Sequence, residues 1–130
     1  MYQKTTHAIT VTVEPTFLAD QSLPEDRHYV WSYAVQIDNH SEQTIQVLGR
    51  YWRITDAFGR VQEVSGTGVV GEQPIISPGQ QFRYTSGTPL TTPSGIMEGS
   101  YRVTTPRGER FEIAIPAFSL DSPYQQRCLN

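Results

Sequence analysis

This 130-residue sequence contains one cysteine, Cys128, third from its end, and one lysine, Lys4. A lone cysteine has no internal partner, so a disulfide framework is excluded, and a terminal tail is a poor place for a catalytic thiolate. A cytoplasmic location is the expectation. No stretch approaches the roughly 18 consecutive apolar residues of a membrane span, and the first residues, MYQKTTHAITVTVE, have no basic segment followed by a long apolar one, so neither a spanning helix nor a secretory signal is expected. The three histidines, His7, His28 and His40, fall at a strand start, a loop end and a turn, and all read as solvated. None is followed or preceded by a spacing that would suggest a nucleophile, base and orienting carboxylate. CxxC, HxH, HExxH and EF-hand spacings are missing, so no metal centre and no cofactor is expected. Glu25 and Asp26 read as a solvated acidic loop. Ten basic and thirteen acidic residues give a formal charge of −3 without a cationic stripe, which argues against duplex nucleic acid as a partner.

What the chain does contain is 9 prolines and 10 glycines set among Thr, Val, Ile and Tyr, the pattern of short strands separated by turns. Ile9, Val11 and Val13 alternate with Thr10 and Thr12, predicting a strand over residues 6–14 that Pro15 ends. Residues 16–27 have no period and read as a mobile surface loop. Trp31, Tyr33, Val35 and Ile37 alternate with small or polar residues in the clearest strand, whose large side chains are due to face a core. A long strand follows over residues 44–55, with Trp52 as a second aromatic anchor and Gly49 marking a bulge or a close backbone approach. Beyond a turn at 56–59 come strands over 60–65 and 80–86, the latter entered through Ser77, Pro78 and Gly79. Residues 87–99 look turn-rich. The last hairpin joins 100–105 to 110–115, with Pro116 stopping its second arm. Seven strands at this spacing predict an all-β sandwich or barrel rather than βαβ units. A chain of this length buries roughly two-thirds of its unfolded surface, so a core needs no staples, and one domain over residues 1–130 is expected.

One stretch carries a chemical motif. In GTGVVGEQPIISPG, the glycines Gly66, Gly68 and Gly71 form GxGxxG, but Glu72, Gln73 and Pro74 follow, so no helix can present its N-terminal amides to a pyrophosphate as in a dinucleotide-binding unit. Two readings stay open. Successive glycine amides can form a nest for an anion, aided by a cation such as Arg53, Arg60 or Arg83. Alternatively, the glycines relax a chain crossing where side chains would be strained. Glu72 borders the loop and would repel an anion unless a metal or arginine intervened. The candidate ligand-binding residues are therefore Gly66, Gly68, Gly71, Glu72 and Arg53, and no catalytic residue is assigned.

Together with RYWRITDAFGRVQEVSG before it, SGTPLTTPSGIMEGSYRV after it, and PAFSL near the end, this stretch resembles the bacterial ApaG family over nearly all of residues 29–120. The resemblance implies an immunoglobulin-like or fibronectin type III-like sandwich, and associations with cobalt tolerance and magnesium efflux. Related domains in eukaryotic F-box proteins and a polymerase delta-interacting protein look like protein-binding modules. Many relatives have histidine where this chain has Tyr51, which weighs against a catalytic or metal role there. The expected function is thus a non-enzymatic binding module with a protein partner. The alternative is a binder, sensor or hydrolase of pyrophosphate-containing nucleotides or their metal complexes through residues 66–71; weak phosphate binding, or a hard divalent cation held weakly by surface carboxylates such as Glu25 and Asp26, stays open.

Overall fold

A computed structural model describes residues 1–124; Cys128 lies outside them. Among the described residues the chain forms nine strands: β1 (Tyr2–Thr6), β2 (Ile9–Phe17), β3 (Tyr29–Asn39), β4 (Ile45–Asp56), β5 (Val61–Thr67), β6 (Ile75–Ile76), β7 (Gln81–Leu90), β8 (Ser94–Thr104) and β9 (Arg110–Asp121). Two 3-10 turns, Ala19–Gln21 and Pro24–Asp26, are the only helical elements there, and no helix is long and apolar enough to cross a membrane. The strands make two antiparallel sheets in the orders β1-β2-β3-β7 and β5-β4-β8-β9, with β6 on the stretch of β4 edge that β5 leaves free. Seven strands reproduce a fibronectin type III sandwich, β2-β3-β7 facing β5-β4-β8-β9. β1 and the two-residue β6 are additions that the seven-strand expectation lacks.

Alternation sets the core. Trp31, Tyr33, Val35 and Ile37 project from β3 with 4, 6, 2 and 0% exposure, as their spacing requires, and meet Trp52, Tyr101, Val103, Ile113 and Phe118 of the opposite sheet. Each such side chain contributes about 1.5–3 kcal/mol by leaving water. The rings pack edge-on: Tyr33 lies 5.1 Å from Trp52, and Trp52 lies 6.0 Å from Phe118 at 89°. Gly49 follows a bulge at Leu48, where the β4–β8 register slips, and the Arg102 side chain crosses where a Cβ would stand, 2.1 Å from its Nη2.

Two boundaries expected at prolines are corrected. Pro15 does not end its strand, because β2 runs on to Phe17. Pro15 opposes Tyr33, and the neighbouring β1 has already stopped at the Tyr2–Val13 pair, so no strand needs the missing N–H. Pro116 does not stop β9 either. It sits in a second bulge, where the register passes from Met97–Phe118 to Gly99–Ile115, and a bulge tolerates a residue without a donor. Strand also replaces most of the expected turn region 87–99, leaving residues 91–93 between β7 and β8.

Of residues 16–27, expected to be an aperiodic loop, Thr16 and Phe17 extend β2 and the rest form a hydrogen-bonded clasp. Ser22 Oγ donates to Leu18 O and accepts from Val30 N at 2.8 and 2.9 Å, while Leu23 and His28 bridge each other. Buried Asn39 fixes the β3–β4 connection in the same way. Its Nδ2 donates to Gln43 O and Ile76 O at 2.8 and 2.9 Å, and its Oδ1 accepts from Ser41 N and Oγ.

Candidate functional site

The glycine stretch folds into a tight clasp over the β4 bulge. Gly68 N donates to Leu48 O at 2.8 Å, and Val69 and Glu72 exchange backbone bonds of 2.8 and 2.9 Å around a reverse turn. Both central residues of that turn, Val70 and Gly71, have positive φ (43° and 80°), the geometry of a type I′ turn. Gly68, at φ 67°, has Glu72 O only 2.2 Å from where a Cβ would stand. Val69 is fully buried and pins the clasp, and Gln73 Nε2 adds a 3.0 Å bond to Leu48 O. The amide protons of Gly68, Val69 and Glu72 are thereby engaged within the protein.

The arginine that meets this loop is Arg50, not Arg53. Gly66 opposes Arg50 across the β4–β5 ladder, and the missing side chain leaves room for its guanidinium, which donates to Thr67 O and Gly68 O at 3.2 and 3.0 Å. Arg53 lies three residues along β4, exposed on the outer face between Glu63 and Glu98. The bulge at Leu48 switches β4 from odd to even residues facing inward, so the sequence alternation alone could not assign Arg50 to the loop side. Beside Arg50 two tyrosines meet between the sheets. Tyr84 of β7 and Tyr101 of β8 share a hydroxyl–hydroxyl hydrogen bond, and burial pushes both phenols above the usual tyrosine range.

At one end of the sandwich, the turns β1–β2, β3–β4 and β8–β9 frame a cleft of about 600 Å³. His7, His40, Glu42, Glu109, Arg110 and Phe111 line it. His7 and Ala8 adopt left-handed conformations, Ala8 O accepts from His40 N at 2.9 Å, and the His7 ring sits edge-on to Phe111 at 5.0 Å. His7, His28 and His40 are all exposed, as expected; that His7 and His40 border one cleft was not legible, since no local signal links positions 7 and 40. Among the described residues no three His, Cys, Asp or Glu side chains converge where an ion could sit.

The two long sides of the sandwich differ. On one, β1 and β9 close the seam through Tyr2 Oη and Ser119 Oγ at 3.2 Å and through Ala114 N donating to Thr6 Oγ1. On the other, β5 and β7 end their sheets with no further strand beside them among the described residues. Where the start of β5 nears the end of β7 lies a groove of about 400 Å³ with Ile54, Val61, Pro89 and Leu90 as its apolar walls and His28, Asp56, Arg60 and Gln62 among its polar ones; Phe58 projects nearby at 76% exposure under the Arg60 guanidinium.

These features define a small all-β sandwich with one sealed and one open side, whose glycine motif is a structural turn in shape. The chain belongs to the ApaG domain family, whose sequence pattern matches residues 19–105. It is 59% identical to the protein ApaG of Paramagnetospirillum magneticum over the full length of both chains. It is 60% identical to that of Rhodospirillum centenum over 124 residues, 95% of each. A crystal structure of a Bordetella pertussis protein described as ApaA superposes with a TM-score of 0.86 at 46% identity, covering 90% of this chain and 95% of that one.

Proposed function

We propose that this chain is a non-enzymatic binding module that docks a protein partner along its open side. The observation carrying this reading is that, among the described residues, the β5 and β7 edges lie unpaired on the same flank, with a groove of mixed apolar and polar lining at one end of it. Unpaired strand edges are templates for an added strand, whose backbone bonds supply affinity while a groove reads alternate side chains. The family's association with cobalt tolerance and magnesium efflux then reflects contact with a protein that handles these cations. Capture of a pyrophosphate-bearing nucleotide at residues 66–72 is the competing reading. The engaged amides of Gly68, Val69 and Glu72 favour partner docking over it.

Capture from a bacterial lysate tests the proposal when wild type is compared with Thr85→Pro in β7 and Glu63→Pro in β5. Proteins retained by wild type and lost from an edge-blocked variant are expected. Identical retention by all three would overturn the reading. Amide shifts confined to residues 66–72 on adding pyrophosphate with magnesium would favour the nucleotide instead.

A further inference from the structure

The direction of each backbone group on β7 follows from the ladder beside it. Asn39 N donates to Gln80 O at 3.0 Å and Asn39 O accepts from Gly79 N at 2.7 Å, so odd-numbered residues of β3 turn their backbone toward β7. Even-numbered ones turn toward β2, which agrees with Leu18 N donating to Val30 O at 2.9 Å and with Pro15 standing opposite Tyr33. Phe82, Tyr84, Ser86, Thr88 and Leu90 oppose odd residues of β3 and are the bonded partners. Gln81, Arg83, Thr85 and Gly87 therefore aim N–H and C=O at the free edge, and Pro89 aims only a carbonyl there. All five residues are exposed, and the side chains of Gln81, Arg83, Thr85 and Pro89 stand on the outer face.

This edge lacks the devices that usually protect one. It has no lysine and no bulge, and its only proline lies near one end. Its one charge, Arg83, decides which pairing it accepts. With a twofold axis at Thr85, Thr85 faces Thr85 of the second copy, and Arg83 faces Gly87 of the second copy on either side of the axis. Each of these pairs can exchange two backbone bonds, and a threonine pair is a favourable cross-strand neighbour. An axis at Arg83 would oppose two guanidiniums, an axis at Tyr84 would set them diagonally about 7–8 Å apart, and an axis at Gly87 would bring Pro89 against Thr85 and lose donors. The β5 edge is less suited. Its edge-facing residues are Val61, Glu63, Ser65 and Thr67, but the Thr67 carbonyl already accepts from Arg50, and a pairing centred on the remaining three opposes two Glu63 side chains.

We propose that two copies of this chain pair through their β7 edges, antiparallel and centred on Thr85, joining their first sheets into one eight-stranded sheet with closed twofold symmetry. The proposal rests on the reading of the open side as a docking surface and names its first occupant. Sedimentation equilibrium over a range of concentrations should give a reversible species of twice the 14.7 kDa chain mass. Concentration should slow amide exchange at Arg83, Thr85 and Gly87. Thr85→Pro removes an N–H that β3 does not use, so its circular dichroism should stay native while dimer dissociation rises tenfold or more, a change of about 1.4 kcal/mol or above. A 14.7 kDa mass at every concentration overturns the pairing, as does a dimer that Thr85→Pro leaves intact or an assembly that grows beyond two. If the chain is monomeric but these amides become protected when a captured partner is added, the docking surface stands and the second copy as its occupant does not.

Discussion

Replacing Gly68 with alanine separates two costs that a glycine can hide. Alanine at φ 67° incurs backbone strain of about 1 kcal/mol. The new methyl would also stand 2.2 Å from Glu72 O, and that oxygen accepts the Val69 amide at 2.8 Å. Moving the carbonyl away to a normal contact breaks this bond beside a residue with 0% exposure, and an unpaired buried amide costs about 1–3 kcal/mol. The expected loss is therefore about 2–4 kcal/mol, or a fall of about 10 °C in Tm for a chain of this size. Gly71→Ala is the matched control. Its φ is 80°, but nothing lies within 4 Å of the added carbon, so only the strain of about 1 kcal/mol should appear. Urea unfolding of both variants gives the difference directly. Equal losses, within about 0.5 kcal/mol, would refute the argument that the glycine motif serves the closed turn.

Three further outcomes follow from named contacts. Asn39→Asp should cost at least about 2 kcal/mol by urea unfolding, because a carboxylate cannot donate to Gln43 O and Ile76 O and would repel both; a loss below about 0.5 kcal/mol would contradict the assignment. Tyr84 and Tyr101 have raised phenol pKa values in the folded state, chiefly through burial, so the folded state holds their protons more tightly. The stability they carry is complete below the unfolded value near 10 and is lost as pH rises above it. The urea midpoint should fall above about pH 10, and the Tyr84 and Tyr101 phenolates should appear in absorbance only as the protein unfolds. Gly79→Val should cost about 1–2 kcal/mol because φ is 79°, with no steric contribution, since its Cβ meets open space; an unchanged Tm would contradict it.

Much of the fold was legible because strands read residue by residue. The alternation in β3 marks its buried face without reference to any other strand, and seven strand segments found this way are the seven of the sandwich. Proline was over-read. Pro15 and Pro116 lack only a donor, and whether that matters depends on what lies beside them, a sheet edge in one case and a bulge in the other. The candidate site was legible only in part. Gly68 and Gly71 have the positive φ that their type permits, but their loop turns inward on its own carbonyls and takes its arginine from Arg50. Arg53 faces the other way because of one extra residue at Leu48.

The sequence by itself determined the seven strands of the sandwich, the buried face of β3 and the family, since each depends on local pattern or on a continuous string of residues. Only the tertiary structure decided what comes together across long separations: Ala8 with His40 through a backbone bond, Tyr84 with Tyr101, and β5 with β7 along one open flank. Those meetings follow from sheet order and from single-residue register slips at bulges. A shift of one position turns a side chain to the opposite face without changing the local pattern that a sequence displays.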